Sequence, residues 1–359
     1  MDFSLPCKSV AFEQIQDRYD VIVVGAGTAG SFFCANAPKN LSILLVDLRS
    51  FPREKPCGGL LVEESVGALA FLGLPTSVMS KPSPCDLIHV DLDNGFTLVQ
   101  KNRLVNLDRK KFDHWLLTQG VKPNVDFSPE TNVLSLEISA GGASVSIQKN
   151  GKHKVVSAEY LVGADGASSI VRKAITPKTV SMCLAVEDYV ISKGKPVDST
   201  YFFYSNDIND YYSWIVPKNG LLLIGTSFPL GTPQKMDHLF SFLKKNTGIW
   251  GTPQRRLAHM LSRPQSRDEF FLTNGKNVFL VGEAAGLVTS STGEGMSYAL
   301  RSSKALSEAF TSSDVAGTYI AKAAYLLEDL TNKIEKGKIF ADKKMRKLHF
   351  ENLIRSGKK

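Results

Sequence analysis

The apolar positions near the start of the chain fall in two short runs with a glycine turn between them. Tyr19-Asp20-Val21-Ile22-Val23-Val24 is β-branched and nearly continuous, the pattern of a strand covered on both faces of a parallel sheet. It runs into Gly25-Ala26-Gly27-Thr28-Ala29-Gly30 and a helical stretch through Phe32, Phe33 and Ala35, which Pro38 and Asn40 end. A second apolar run, Leu41 to Val46, closes on Asp47. Strand, glycine turn, helix, strand and acid in this order, within about 30 residues, predict a dinucleotide-binding unit.

Further along, Thr131–Leu136, Ala143–Gln148 and Lys154–Ser157 are separated by Gly141-Gly142 and Asn150-Gly151, which predicts a three-stranded antiparallel meander. Another apolar strand, Tyr160-Leu161-Val162, stops at Gly163-Ala164-Asp165-Gly166. From Thr179 to Ser227 the chain alternates and is rich in aromatics, as in Tyr201-Phe202-Phe203-Tyr204 and Tyr211-Tyr212-Ser213-Trp214, which predicts a second antiparallel sheet. Asp237 to Asn246 reads as a helix and Asn277 to Val281 as a last buried strand.

The formal charge of +8 over 359 residues suggests a nucleic-acid partner until it is located. Residues 331–359 hold ten Lys or Arg against Glu335, Asp342 and Glu351, a net of +7, so the rest carries about +1 and no nucleic-acid partner is expected. The five cysteines (Cys7, Cys34, Cys57, Cys85, Cys183) are odd in number and widely spaced, neither a disulfide framework nor a paired zinc set. No apolar run approaches the length of a membrane span, so a soluble, cytoplasmic protein is expected.

Each glycine of the triplet has a physical task. Gly25 permits the tight turn, Gly27 lets backbone approach a pyrophosphate, and Gly30 lets helix pack on strand, while Asp47 can accept hydrogen bonds from ribose hydroxyls. The triplet does not choose between FAD and NAD. Gly163-Ala164-Asp165-Gly166-Ala167-Ser168-Ser169 resembles the Asp-Gly fingerprint of flavoprotein hydroxylases. Gly282-Glu283-Ala284-Ala285-Gly286 resembles their second flavin motif, in which a carboxylate binds the ribityl chain and a helix N-terminus faces the pyrophosphate or the pyrimidine ring. The three motifs in this order indicate FAD.

Phe51-Pro52-Arg53-Glu54-Lys55-Pro56-Cys57-Gly58-Gly59, Asp108-Arg109-Lys110-Lys111-Phe112-Asp113, Tyr212-Ser213-Trp214-Ile215-Val216-Pro217 and Gly293-Glu294-Gly295-Met296 narrow the placement. Together they resemble the geranylgeranyl reductase family, FAD enzymes that saturate isoprenoid double bonds on the fold of p-hydroxybenzoate hydroxylase and the flavin-dependent halogenases. The resemblance implies an α/β (α+β) fold: a Rossmann-like FAD-binding domain (1–78, 103–176 and 270–330) with an inserted antiparallel-sheet substrate domain (79–102 and 177–269), then a basic tail, 331–359. It implies cofactor contacts from Gly25, Gly27, Thr28, Ala29, Gly30, Asp47, Leu48, Arg53, Cys57, Gly58, Gly59, Arg109, Asp165, Gly166, Gly282, Glu283, Gly293, Gly295 and Met296. Arg109 would serve the phosphates, and Cys57, beside the flavin ring, would donate a proton or hold an intermediate. Tyr212 and Trp214, two apart on one face of a strand, would roof the substrate cavity.

Two departures bear on this. The second flavin motif usually carries Asp where this chain has Glu283, and the chain is shorter than typical members, which reduces the part that encloses a long lipid. The expected activity is hydride transfer from reduced flavin to a double bond of a hydrophobic, isoprenoid or similar substrate, with NAD(P)H or a small redox protein as transient electron donor. A monooxygenase is the alternative. A halogenase fits less well, since Tyr212 stands where the pattern Trp-x-Trp-x-Ile-Pro has its first Trp. A flavin redox carrier without an organic substrate is a third reading. His114, Trp115 and His349 are expected to pack or face solvent. The tail suits either an interfacial helix on an anionic leaflet, making the protein peripheral to the inner membrane face, or a helix packed on the FAD domain, with Gly337 weakening any long helix.

Overall fold

In the computed structural model residues 7–232 and 235–355 are described; Lys358 and Lys359 of the tail lie outside them. The chain begins β1 (Arg18–Val24), α1 (Thr28–Asn36), β2 (Ile43–Val46), β3 (Leu60–Val62), α2 (Glu63–Leu69), β4 (Cys85–Asp91), β5 (Phe96–Asn106) and α3 (Arg109–Gly120). It continues β6 (Val125–Ser128), β7 (Asn132–Ser139), β8 (Gly142–Lys149), β9 (Lys152–Gly163), α4 (Ile170–Ile175), β10 (Met182–Ser192), β11 (Thr200–Tyr204), β12 (Ser213–Lys218) and β13 (Leu221–Pro229). It ends α5 (Met236–Thr247), β14 (Gly251–Ser262), β15 (Val278–Leu280), α6 (Met296–Ala309), α7 (Val315–Ala341) and α8 (Lys343–Arg355).

The first sheet orders its parallel strands β6-β2-β1-β9, and β15 pairs with the end of β9. Val21, Ile22 and Val23 are wholly buried, as a strand with helices on both faces must be. The reading of Lys154–Ser157 and Tyr160–Val162 as two strands is corrected: both belong to β9, whose first half pairs antiparallel with β8 and whose second half pairs parallel with β15. One edge of β9 serves two neighbours in succession while its other edge pairs with β1, so the pattern breaks without the strand ending.

The second sheet runs β14-β10-β13-β12-β11-β4-β5-β3, antiparallel except where β11 meets β4. It takes in β3 and all of β5, and so reaches beyond the 79–102 expected for the first substrate-domain segment. Its face toward the first domain carries an aromatic cluster of Phe202, Tyr204, Tyr211, Tyr212 and Trp214. Burying each such ring contributes about 1.5–3 kcal/mol.

The tail is part of this packing. Gly337 does not break α7: a Cβ there would stand 3.3 Å from the Ser290 backbone, so the glycine lets the helix lie against that loop. Packing outweighs the propensity cost of about 1 kcal/mol. α8 then folds onto the second sheet, where Phe350 stacks on Phe96 with centroids 6.1 Å apart and Phe340 meets Tyr204 at 5.1 Å.

Candidate active site

The two sheets enclose a cavity of about 910 Å³ that runs from the turn after β1, past residues 53–59, to the inner face of the second sheet. At the nucleotide end, Gly25 has φ +101° and a Cβ there would be 2.5 Å from the Ala164 carbonyl oxygen, while a Cβ on Gly30 would be 1.9 Å from the Gly25 carbonyl oxygen. Protein packing alone therefore requires both. Gly27 is different: the nearest atom to a Cβ is Arg53 Nη2 at 3.7 Å, so the space its missing side chain leaves faces the cavity. Gly27 is also the N-cap of α1 and no side chain caps that terminus, which leaves helix N–H groups open to an anion.

Asp47 stands at the end of β2 and accepts from the Ala26 N–H at 2.7 Å and the Arg49 N–H at 2.8 Å, which ties the acid to the glycine turn. Asp165 accepts from the Ser169 hydroxyl at 2.6 Å and the Ile170 N–H at 2.7 Å, holding its own turn at the start of α4. The Glu283 carboxylate accepts from the Ser262 N–H at 2.9 Å, so its extra methylene links the motif to β14. The motif forms only a short 3-10 turn, Gly282–Ala285. The long helix whose N-terminus faces the cavity is α6, which starts at Met296 after Gly293 and Gly295 and has no side-chain cap.

Of the expected cofactor residues, all but Gly30, Leu48 and Gly282 line this cavity. Gly30 and Gly282 serve packing instead; a Cβ on Gly282 would lie 3.1 Å from Ala29 and 3.2 Å from Ala299. Leu48 is 59% exposed. Arg109 is turned toward Asp113 in a two-point pair at 3.0 and 2.9 Å, so the arginine over Gly27 is Arg53. His114 and Trp115 are buried in α3, and His349 packs on Phe340.

Uncapped α1, the space at Gly27 and the acid at the end of β2 fit the pyrophosphate and ribose of FAD. The α6 terminus offers N–H groups for the ring system.

Beyond the cradle, the Cys57 Sγ accepts from the Gly59 N–H at 3.3 Å, and the Cys57 N–H donates to Glu187 Oε1 at 2.8 Å. Tyr212 donates its hydroxyl to the Thr292 carbonyl at 2.6 Å, which spends that group on positioning the Gly293 loop. Glu187 and His259 on the cavity wall, and the buried Lys218 with its partner Asn106 outside that lining, escaped the sequence reading. Glu187 is 1% exposed, and burial pushes its carboxyl up to about 7. Lys218, also buried, donates to the Asn106 side chain and to the Leu107 carbonyl at 2.9 Å; burial lowers it to about 8. His259 is lowered to about 4 by burial and by the cations of Lys55 and Arg109. The acid pair Glu187-Asp188 within the otherwise apolar Met182–Ile191 is a signal that could have drawn attention to Glu187, since the alternation of a strand sends one of the two to each face; β14 has no such pattern to mark His259.

Residues 18–188 match the family model described as FAD binding domain. Protein CbrA of Escherichia coli O9:H4 (strain HS) is 28% identical over 301 residues, 81% of each chain. The fold is similar to that of a geranylgeranyl bacteriochlorophyll reductase-like protein from Thermoplasma acidophilum (TM-score 0.81, 20% identity, 94% of this chain and 91% of that one). It is also similar to that of p-nitrophenol 4-monooxygenase from Pseudomonas putida (TM-score 0.75, 15% identity, 94% of both). Residues 18–188 thus match an FAD binding domain, and the chain shares the p-hydroxybenzoate-hydroxylase-like fold of these solved structures.

Proposed function

We propose that the protein reduces a carbon–carbon double bond of a hydrophobic, isoprenoid or similar substrate. The observation that carries this reading is the chamber continuous with the nucleotide cradle, walled by Leu87, Leu104, Phe202, Trp214 and Val216, with the Cys57 thiol at the junction. Bound and reduced FAD supplies the hydride. The protein's own residues do the rest. The apolar wall excludes water and binds the carbon chain, and Glu187 and Gly59 fix the Cys57 loop through the two hydrogen bonds above. Cys57 holds a proton at Sγ beside the reacting carbon, and Trp214 lies along the roof. Arg53 and the α1 terminus hold the cofactor phosphates, and Asp47 the ribose.

α7 contributes Lys333 and Lys336 to the cavity wall, so the tail forms part of the chamber. Among the described residues no helix is long and apolar enough to cross a membrane. Electrons arrive from NAD(P)H or a small redox protein, since the fold carries one complete dinucleotide cradle. The aromatic-lined chamber weighs against a redox carrier without a substrate.

The test is anaerobic. Protein reduced by light and mixed with an isoprenoid alkene should be reoxidised without oxygen and yield the saturated product. Reoxidation only with oxygen, with a hydroxylated product, would establish the monooxygenase reading instead.

A further inference from the structure

Among the described residues that line the cavity, six buried side-chain atoms have no hydrogen-bond partner, and two of them, the Trp214 indole Nε1 and the Glu187 Oε2, lie side by side on the second sheet. They belong to one row of the second sheet. Glu187 on β10 is in register with Gly225 on β13, and Gly225 with Trp214 on β12. A Cβ on Gly225 would lie 2.5 Å from indole carbons and 2.7 Å from Nε1, so the ring lies flat across β13 toward Glu187 only because residue 225 has no side chain. Trp214 is 8% exposed and Glu187 1%, and both line the cavity. A buried donor and a buried acceptor left unmade each cost about 1–3 kcal/mol. The indole is near enough to draw the Glu187 carboxyl toward ionisation, yet the two atoms make no well-formed hydrogen bond with each other, so a group that bonds both is favoured.

We infer that Trp214 and Glu187 form the polar anchor of the chamber and take a single hydroxyl group on an otherwise apolar substrate. A hydroxyl completes both atoms through one oxygen as a water molecule would, accepting from the indole N–H and donating to the carboxylate, so an alcohol can replace such a water with neither bond lost. An ether oxygen or a carbonyl accepts only, and a hydrocarbon does neither. The charged groups facing Glu187 are Lys218 and Arg109, and with the Cys57 N–H and Trp214 they draw its carboxyl back toward ionisation against burial. A hydroxyl suits either state, since it can also accept from the protonated acid, whereas a substrate carboxylate would meet the Glu187 charge in the ionised one. Leu87, Leu104 and Val216 give the rest of the wall apolar surface for a carbon chain, beside the polar His89 and Gln100.

This inference rests on the apolar-substrate reading above, and binding measurements separate the two. FAD-loaded wild-type protein, Glu187→Gln, Glu187→Leu and Trp214→Phe are titrated with geraniol, geranyl methyl ether and the hydrocarbon myrcene, following flavin absorbance and calorimetry. Wild type should bind the alcohol at least tenfold more tightly than the ether or the hydrocarbon. Glu187→Leu and Trp214→Phe should bind all three alike with FAD content unchanged, and Glu187→Gln, whose amide oxygen still accepts, should retain part of the preference. Equal binding of the three probes to wild type overturns the anchor alone. Binding of none removes the apolar-substrate reading and the anchor with it. Loss of FAD from Glu187→Gln or Trp214→Phe would assign the pair to the cofactor and also overturn the inference.

Discussion

Arg346, the sixteenth residue of the basic tail 331–359, is 1% exposed and sets its Nε 3.0 Å from the carboxylate of Asp91, itself wholly buried at the end of β4. The same guanidinium pairs with Asp93 at 2.6 Å and donates to the Phe340 carbonyl at 2.6 Å. A basic residue that ties the tail to the end of β4 cannot be replaced without leaving two acids stranded. Arg346→Met should cost about 3–5 kcal/mol in urea melts, the usual penalty for an uncompensated buried charge. Truncation after Asn332 should be worse, because it also removes Phe340 and Phe350 from the aromatic cluster. The intact protein should ignore anionic vesicles in co-sedimentation, since these rings are already buried; binding lost in high salt would instead restore the interfacial helix.

The glycines of the first turn separate folding from cofactor binding. Gly27→Val should fold normally and lack FAD, because its nearest protein neighbour is 3.7 Å away and the side chain fills only the cradle. Gly30→Val should fail to fold even with excess FAD, given a contact of 1.9 Å to the Gly25 carbonyl oxygen. Asp47→Ala loses ribose contacts and frees the Ala26 N–H, and should weaken FAD at least tenfold, about 1.4 kcal/mol or more. Yellow, stoichiometric Gly27→Val protein would refute this assignment.

The nucleotide half was legible because its chemistry is local. A turn that needs glycine at 25 and 30 and an acid after the next strand leave their mark within one stretch of chain. The chamber was legible only where a strand carried its signal in one segment, as at Tyr212 and Trp214. Glu187, Lys218, His259 and Asn106 meet through sheet register and loop closure, which no single segment records. Gly225 shows the difference well: the sequence marks a glycine inside a strand, but only the register says that an indole lies over it. The tail left two readings open, a packed helix and an interfacial one, for a related reason. Its charges are visible in the sequence, while the two aspartates that bury Arg346 lie some 250 residues earlier, as the Arg346–Asp93 separation of 253 shows.

Cys57 should affect turnover more than flavin content. Its backbone is fixed by Glu187 and its thiol accepts from Gly59, contacts that serine preserves in shape. Cys57→Ser should keep the flavin spectrum and lower double-bond reduction at least tenfold, as measured in single-turnover reoxidation by alkene, because the hydroxyl is a much weaker acid than the thiol. Unchanged reduction would make Cys57 a structural residue of the loop.

Glu187 should also be visible in stability alone. Its carboxyl, pushed by burial from 4.5 to about 7, binds a proton more tightly in the folded protein than in the unfolded chain. Its contribution is therefore fully present below pH 4.5 and is lost as pH rises through about 7, the reverse of a salt-bridged acid. Glu187→Gln is uncharged at every pH and keeps the volume, so the difference in unfolding free energy between wild type and variant isolates this one group. His259 titrates in both proteins and cancels from that difference. The difference should be constant in acid, fall by about 3 kcal/mol against the wild type between the two pKa values, and then level off above about pH 7. Urea melts across this range measure it directly. Parallel stability curves would mean that Glu187 keeps an ordinary carboxylate pKa, stays ionised in the chamber, and draws enough from Lys218 and Arg109 to cancel the cost of its burial.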